Sequence, residues 1–214
     1  MKKMDAIANN AISAVASAGR KEHVEQLLDL ADRTELPELR QAILQSLIYS
    51  DTVDVDAVVD RALATDDPNL HSTAAMALSR SGTERSRELL RELSRSDNAM
   101  VASSALGSLG QLGGEEAEVA LIDALDHPDV AWSAVNGLQN LGTPSARATL
   151  LDAARTAEDP TVRSAALQTL PHLGAEGAND VLRDALEDVD DEVRYSAVGA
   201  LESVGTTQAA ETLA

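Results

Sequence analysis

A glycine recurs along this chain at a fixed distance from three apolar positions, and that spacing leaves few folds open. With Val162 as phase zero, the same phase falls on Ile7, Leu39, Leu70, Val101, Val130 and Val193, at steps of 29 to 32 residues. Four positions on stand Ala11, Ile43, Ala74, Ala105, Ala134, Ala166 and Ala197, and eight on stand Val15, Leu47, Leu78, Leu109, Leu138, Leu170 and Leu201. Twelve on come Gly19, Gly82, Gly113, Gly142, Gly174 and Gly205, with Asp51 as the exception. Phases zero, four and eight share one side of a 3.6-residue wheel, so each unit opens with a helix. A fixed period of about 31 residues is the mark of stacked units that bury one another's apolar sides. The expectation is an all-α solenoid of about seven two-helix repeats, at roughly 1–33, 34–65, 66–96, 97–126, 127–158, 159–188 and 189–214.

Local chemistry punctuates each unit. The first helix starts at Asp67-Pro68, His127-Pro128, Asp159-Pro160 and, with a weaker cap, Leu36-Pro37. Proline suits the first helical position because its missing N–H has no intrahelical partner there. An Asp before it accepts a bond from a free N–H of the first turn, and Asn98 and Asp190 hold that place where proline is missing. The phase-twelve glycine ends the helix in the left-handed conformation. Phase five is apolar in every unit, an arc wide enough for a helix covered on two sides. Phase seven is always small, as close helix packing requires. Pro171, at phase nine, is expected to kink its helix or stop it early. Second helices are expected at 22–33, 54–64, 83–95, 115–126, 145–156, 177–187 and 207–213, with no strands.

The pattern Asp-Pro-x-Val-Arg-x-x-Ala-x-x-x-Leu-x-x-x-Gly resembles the HEAT-like repeats of the phycobilisome-lyase type over nearly the whole chain. The resemblance implies a right-handed superhelix with the second helices on its concave side. It also implies either a scaffold without chemistry or a subunit that helps attach bilin pigments. Arg40, Arg163 and Arg194 follow phase zero as that pattern expects. Ala8, His71, Ala102 and Ala131 depart from it, so a ladder of Arg–Asp contacts is expected to break at those repeats.

Composition narrows the partners. The chain has 36 acidic and 17 basic residues, for a formal net charge of −19. A phosphate backbone needs a basic face, so nucleic acid is excluded as the expected partner. Only Lys2, Lys3 and Lys21 are lysines, and there is no Phe. Acid excess with scarce lysine is the composition of a protein kept soluble in concentrated salt. Without cysteine there is no disulfide, thiolate metal site or Cys nucleophile. The weakly charged stretch at 1–18 carries the repeat phases and is too short for a membrane span, so the chain reads as cytoplasmic.

Catalytic chemistry is hard to find. Asp123, Asp126, His127 and Asp129 could offer metal ligands, but His127 and Asp129 stand where the repeat places its helix cap. Asp188, Asp190, Asp191 and Glu192 lack the calcium-loop spacing and central glycine. His23, His71, His127 and His172 fall in different phases, without a nucleophile at a useful spacing. Gly107, Gly110, Gly113 and Gly114 have no phosphate-loop lysine beside them. No cofactor is expected.

Two features stand out from the repeat. Trp132 and Tyr195 share phase two, opposite the apolar stripe, and Tyr49 sits at phase ten; exposed aromatics anchor protein interfaces. Arg80, Arg85, Arg87, Arg91 and Arg95 concentrate in the third repeat. Arg87, Arg91 and Arg95 form a row beside Glu84, Glu88 and Glu92, which makes either a salt-bridged face or a grip for carboxylates. The expected function is a protein-interaction scaffold, with Arg80, Arg87, Arg91, Arg95, Trp132 and Tyr195 as partner-binding residues. The alternative is a bilin-lyase-like or chaperone subunit. The short last helix at 207–213 leaves apolar phases uncovered, so that end is expected either to be covered, by another copy through self-association or by a partner, or to be frayed.

Overall fold

The computed structural model describes residues 12, 14–15, 20–49, 54–173 and 177–204. Gly19, Asp51, Gly174, Gly205 and the expected helix at 207–213 lie outside the described residues. So does the proposed C-terminal contact.

Among the described residues the ordered elements are all helical. They run α1 (Lys21–Arg33), α2 (Pro37–Ile48), α3 (Val55–Leu63), α4 (Pro68–Ser81), α5 (Glu84–Leu93), α6 (Ala99–Leu112), α7 (Glu115–Asp123), α8 (Pro128–Leu141), α9 (Pro144–Thr156), α10 (Pro160–Leu173), α11 (Ala178–Asp184) and α12 (Asp191–Val204). First and second helices alternate as the repeat demands, which is the α-solenoid fold class. The expected second helices 115–126 and 177–187 each end in a tighter 3-10 turn, at Ala124–Asp126 and Ala185–Glu187.

The chain forms two compact units, residues 1–105 and 106–214, with the boundary inside α6. In the first, α2 packs on α1, α3 and α4, and α4 packs on α3 and α5. In the second, α8 packs on α7, α9 and α10, and α10 packs on α9, α11 and α12. A first helix is thus covered by its own partner, the preceding second helix and its neighbouring first helix. This is why phase five must be apolar: Leu44, Ala75, Leu106, Val135 and Leu167 are all buried. Phases four and eight are buried with them from Ile43 and Leu47 onward, whereas Val15 in the first repeat is exposed, against expectation.

The caps form as the residues predict. Asp67 accepts from the Asn69 N–H at 2.9 Å, Asp159 from Thr161 at 2.7 Å and Asp190 from Glu192 at 2.9 Å. Asn98 accepts from Met100 at 3.1 Å. His127 occupies the cap position but its side chain makes no capping bond. Gly82, Gly113 and Gly142 take φ of 59°, 67° and 57°, and each N–H closes its helix on the carbonyl four residues back. Pro171 does not stop its helix, which continues to Leu173. It sits in the last turn, so its missing N–H costs a single bond and its ring is half-exposed.

Candidate functional site

The residue after phase zero does a job that the sequence pattern alone conceals. Arg40 donates to the Thr34 carbonyl at 2.6 Å, Arg163 to Ala157 at 2.7 Å and Arg194 to Asp188 at 2.7 Å. Each acceptor lies six residues back, at the turn that ends the preceding second helix, where carbonyls have no helical partner. His71 does the same: its Nε2 lies 2.7 Å from the Thr65 carbonyl. The break expected at His71 concerned contacts with Asp; the bond to the turn carbonyl is kept there without one. An imidazole N–H reaches the equivalent orphan carbonyl, because the distance is set by the turn and not by the charge.

Arg163 goes further. Its Nε and Nη2 hold both oxygens of Asp188 at 2.9 Å. The two side chains are only 11% and 16% exposed, so water screens the pair weakly. The Arg163 hydrogen bond holds the Asp188 carboxyl below the usual aspartate range, burial works against it, and the Asp190 N–H and the Arg163 and Arg194 charges add to the lowering.

The third-repeat arginines do not form one free basic patch. Arg80 turns its guanidinium onto the carbonyl of Ile48, at the end of α2. Arg85 pairs with Asp60 and stands 3.9 Å from Asp56, both on α3. Arg61 reaches Asp32 on α1 at 3.0 Å in the same way. The second helices of the first unit are thus tied one to the next by exposed ion pairs, each worth little alone. Arg87 and Arg91 are half-buried on α5, while Arg95 is exposed beyond its end. Charge counting missed this, because it cannot see which acidic neighbour each arginine meets.

The aromatic residues keep their expected exposure. Trp132 on α8 is 51% exposed and Tyr195 on α12 is 81% exposed. Both belong to the second unit, and α10 lies between their helices. Ser164 holds the same phase on α10 but is buried, so two rings project on either side of a small residue. Gly199, one turn beyond Tyr195, has open space where a Cβ would stand. Tyr49 follows α2 in the first unit and is also exposed. The arginines belong to the first unit and the Trp132–Tyr195 pair to the second.

Asp123, Asp126, His127 and Asp129 are all exposed, and no group of side chains suited to hold a metal ion occurs among the described residues. No helix among them is long and apolar enough to cross a membrane.

A family model described as HEAT repeats matches residues 24–106, 55–131, 88–171 and 148–214. No curated protein matches the sequence. Among solved structures, the complex of CpcE and CpcF of phycocyanin lyase from Nostoc sp. PCC7120 is similar, with 21% identity, 87% of this chain and 78% of that chain covered, and a TM-score of 0.51. Human deoxyhypusine hydroxylase in complex with glycerol matches at 20% identity over 94% of this chain and 80% of that one, with a TM-score of 0.47. An engineered protein matches at 20% identity over 85% of this chain and 98% of its own, with a TM-score of 0.44. Likeness at this level of identity speaks for the fold alone.

Proposed function

Because the chain belongs to the HEAT-repeat family, we propose that it is a non-catalytic scaffold that binds another protein through side chains exposed on its repeat helices. One observation carries the reading: Trp132 and Tyr195 hold the same phase of α8 and α12, and both rings are exposed. A repeat whose other phase-two residues are small or polar does not need a ring there for its own packing. Large rigid rings gain much contact area at little entropic cost, which is why they anchor interfaces. A preformed helical surface adds to this by leaving little to order on binding. Arg87, Arg91 and Arg95 mark a second candidate surface in the first unit for a partner's carboxylates, while Arg80 is engaged on the Ile48 carbonyl. The acid excess fits a chain that works in concentrated salt.

Trp132 is the sole tryptophan, so its fluorescence reports on this surface directly. Proteins captured from the source cells in molar KCl are to be titrated, once purified, onto the chain. Binding should shift Trp132 emission to the blue, and Trp132→Ser with Tyr195→Ser should weaken it by about tenfold or more, as anchor residues do. Arg87→Glu with Arg91→Glu tests the second surface in the same assay. If every captured protein binds both double variants as tightly as the wild type, the interaction reading is wrong for these surfaces.

A further inference from the structure

One cavity in the first unit stands where the last repeat has a carboxylate. It has a volume of about 180 Å³ and is lined by Arg40, Arg61, Asp32 and Thr65, with Leu44 and alanines as apolar wall. In the second unit, Arg163 binds Asp188, which lies 25 residues further along. The residue 25 places beyond Arg40 is Thr65. Thr65 and Asp188 hold the same place in the repeat, and both accept a bond from the N–H two residues on, that of Asp67 at 3.3 Å and Asp190 at 2.9 Å. The backbone turn is therefore common to the two repeats, and only the carboxylate is missing from one.

Without that carboxylate, Arg40 spends its donors differently. Arg163 keeps its Nε–Nη2 edge for Asp188 and gives Nη1 to the Ala157 carbonyl. Arg40 instead turns Nε and Nη2 to the carbonyls of Ala31 and Thr34, at 3.0 and 2.6 Å. Among the described residues its Nη1 makes no hydrogen bond. Arg61 holds Asp32 through Nε at 3.0 and 3.1 Å and the Ala57 carbonyl through Nη1, which leaves Nη2 in the same position. Two guanidinium groups with spare donors thus border one cavity, and Asp32 neutralises one of their two charges. The net single positive charge matches a monoanion, and a planar pair of oxygens matches the guanidinium fork. A dianion would meet Asp32 with its second charge.

We propose that this cavity is a carboxylate-binding site, open because Thr65 stands where the last repeat has Asp188. The site is independent of the surfaces assigned to protein binding above. It takes the carboxylate of a free acid or of a partner's Asp, Glu or C-terminus.

The test uses the whole chain, labelled with nitrogen-15, and reads the Arg40 Nε–H signal, identified by its disappearance in Arg40→Lys. Sodium acetate and a short end-blocked peptide with one glutamate are titrated against sodium chloride at constant ionic strength. A saturable shift with either carboxylate is expected. In Thr65→Asp the tethered carboxylate should occupy the site, so acetate binding should fall by about tenfold or more. That variant should melt at or above the wild-type temperature. Tighter binding of the peptide assigns the site to a protein-borne carboxylate, and tighter binding of acetate to a free acid. No shift beyond that of chloride, or an unchanged response in Thr65→Asp, would overturn the proposal and leave a water-filled cavity. Inorganic phosphate binding more tightly than acetate would overturn the monocarboxylate assignment.

Discussion

Gly110 of α6 lies against Gly137 of α8 so closely that a Cβ on Gly110 would stand 2.6 Å from the Gly137 Cα. The obstacle is backbone, which no rotamer change can move. Gly110→Ala is therefore expected to cost about 1–3 kcal/mol, the usual range for overpacking. Gly107, on the same helix, has nothing within 4 Å of its Cβ position. There Ala should gain about 0.5–1 kcal/mol, because a helix interior disfavours glycine. Urea unfolding of the two variants should give opposite signs; equal effects would mean that α6 and α8 do not meet through these glycines.

Gly142 closes α8 at φ 57°, and a Cβ there would meet no serious clash in space. Its requirement is conformational. Gly142→Val is expected to lose at least about 1–2 kcal/mol, since a β-branched residue resists the left-handed region. Stability within error of wild type in a thermal melt would show that the helix ends without this conformation.

Asp188 should make stability depend on acid. Removing its carboxylate in Asp188→Ala takes away charge-assisted bonds worth about 1.5–3 kcal/mol at pH 7. The folded state lowers this pKa below the unfolded value of about 3.9. The contribution is then fully present above that pH and is lost as the pH falls through the lower folded value. The gap in urea midpoint between wild type and variant should accordingly be open at neutral pH and close in strong acid. A gap of constant size down to about pH 2, below the whole usual carboxylate range, would mean that Asp188 acts through its shape and not its charge.

Salt should stabilise the chain. At a net charge of −19, like charges repel across the folded surface, and screening relieves that repulsion. The melting temperature is expected to rise markedly from low to molar KCl, although the exposed Arg61–Asp32 and Arg85–Asp60 pairs weaken over the same range. A flat profile by circular dichroism would remove the argument from acid excess.

Helix positions, caps and left-handed glycines were legible in the chain because each depends on residues within one or two turns. Asp159 caps α10 through an N–H two residues away, and Gly142 closes α8 four residues back. Apolar phases gave the buried stripe for the same reason, since a helix's own geometry decides which side chains share a face. Exposure of Trp132 and Tyr195 did not follow from phase alone, because Ser72 and Ser164 hold the same phase and are buried. What the tertiary structure decided is which polar groups meet across the stack. Arg163 finds Asp188 while Arg40 faces Thr65, and Arg80 turns onto Ile48 across a separation of 32 residues. His71 reaches the carbonyl at the equivalent place of its own repeat, that of Thr65, although the repeat pattern marks it as a departure. These contacts depend on the rotation and spacing of neighbouring repeats, which the packing of whole helices sets. A period read from one strand of letters carries the register of those residues, but not the distance between them.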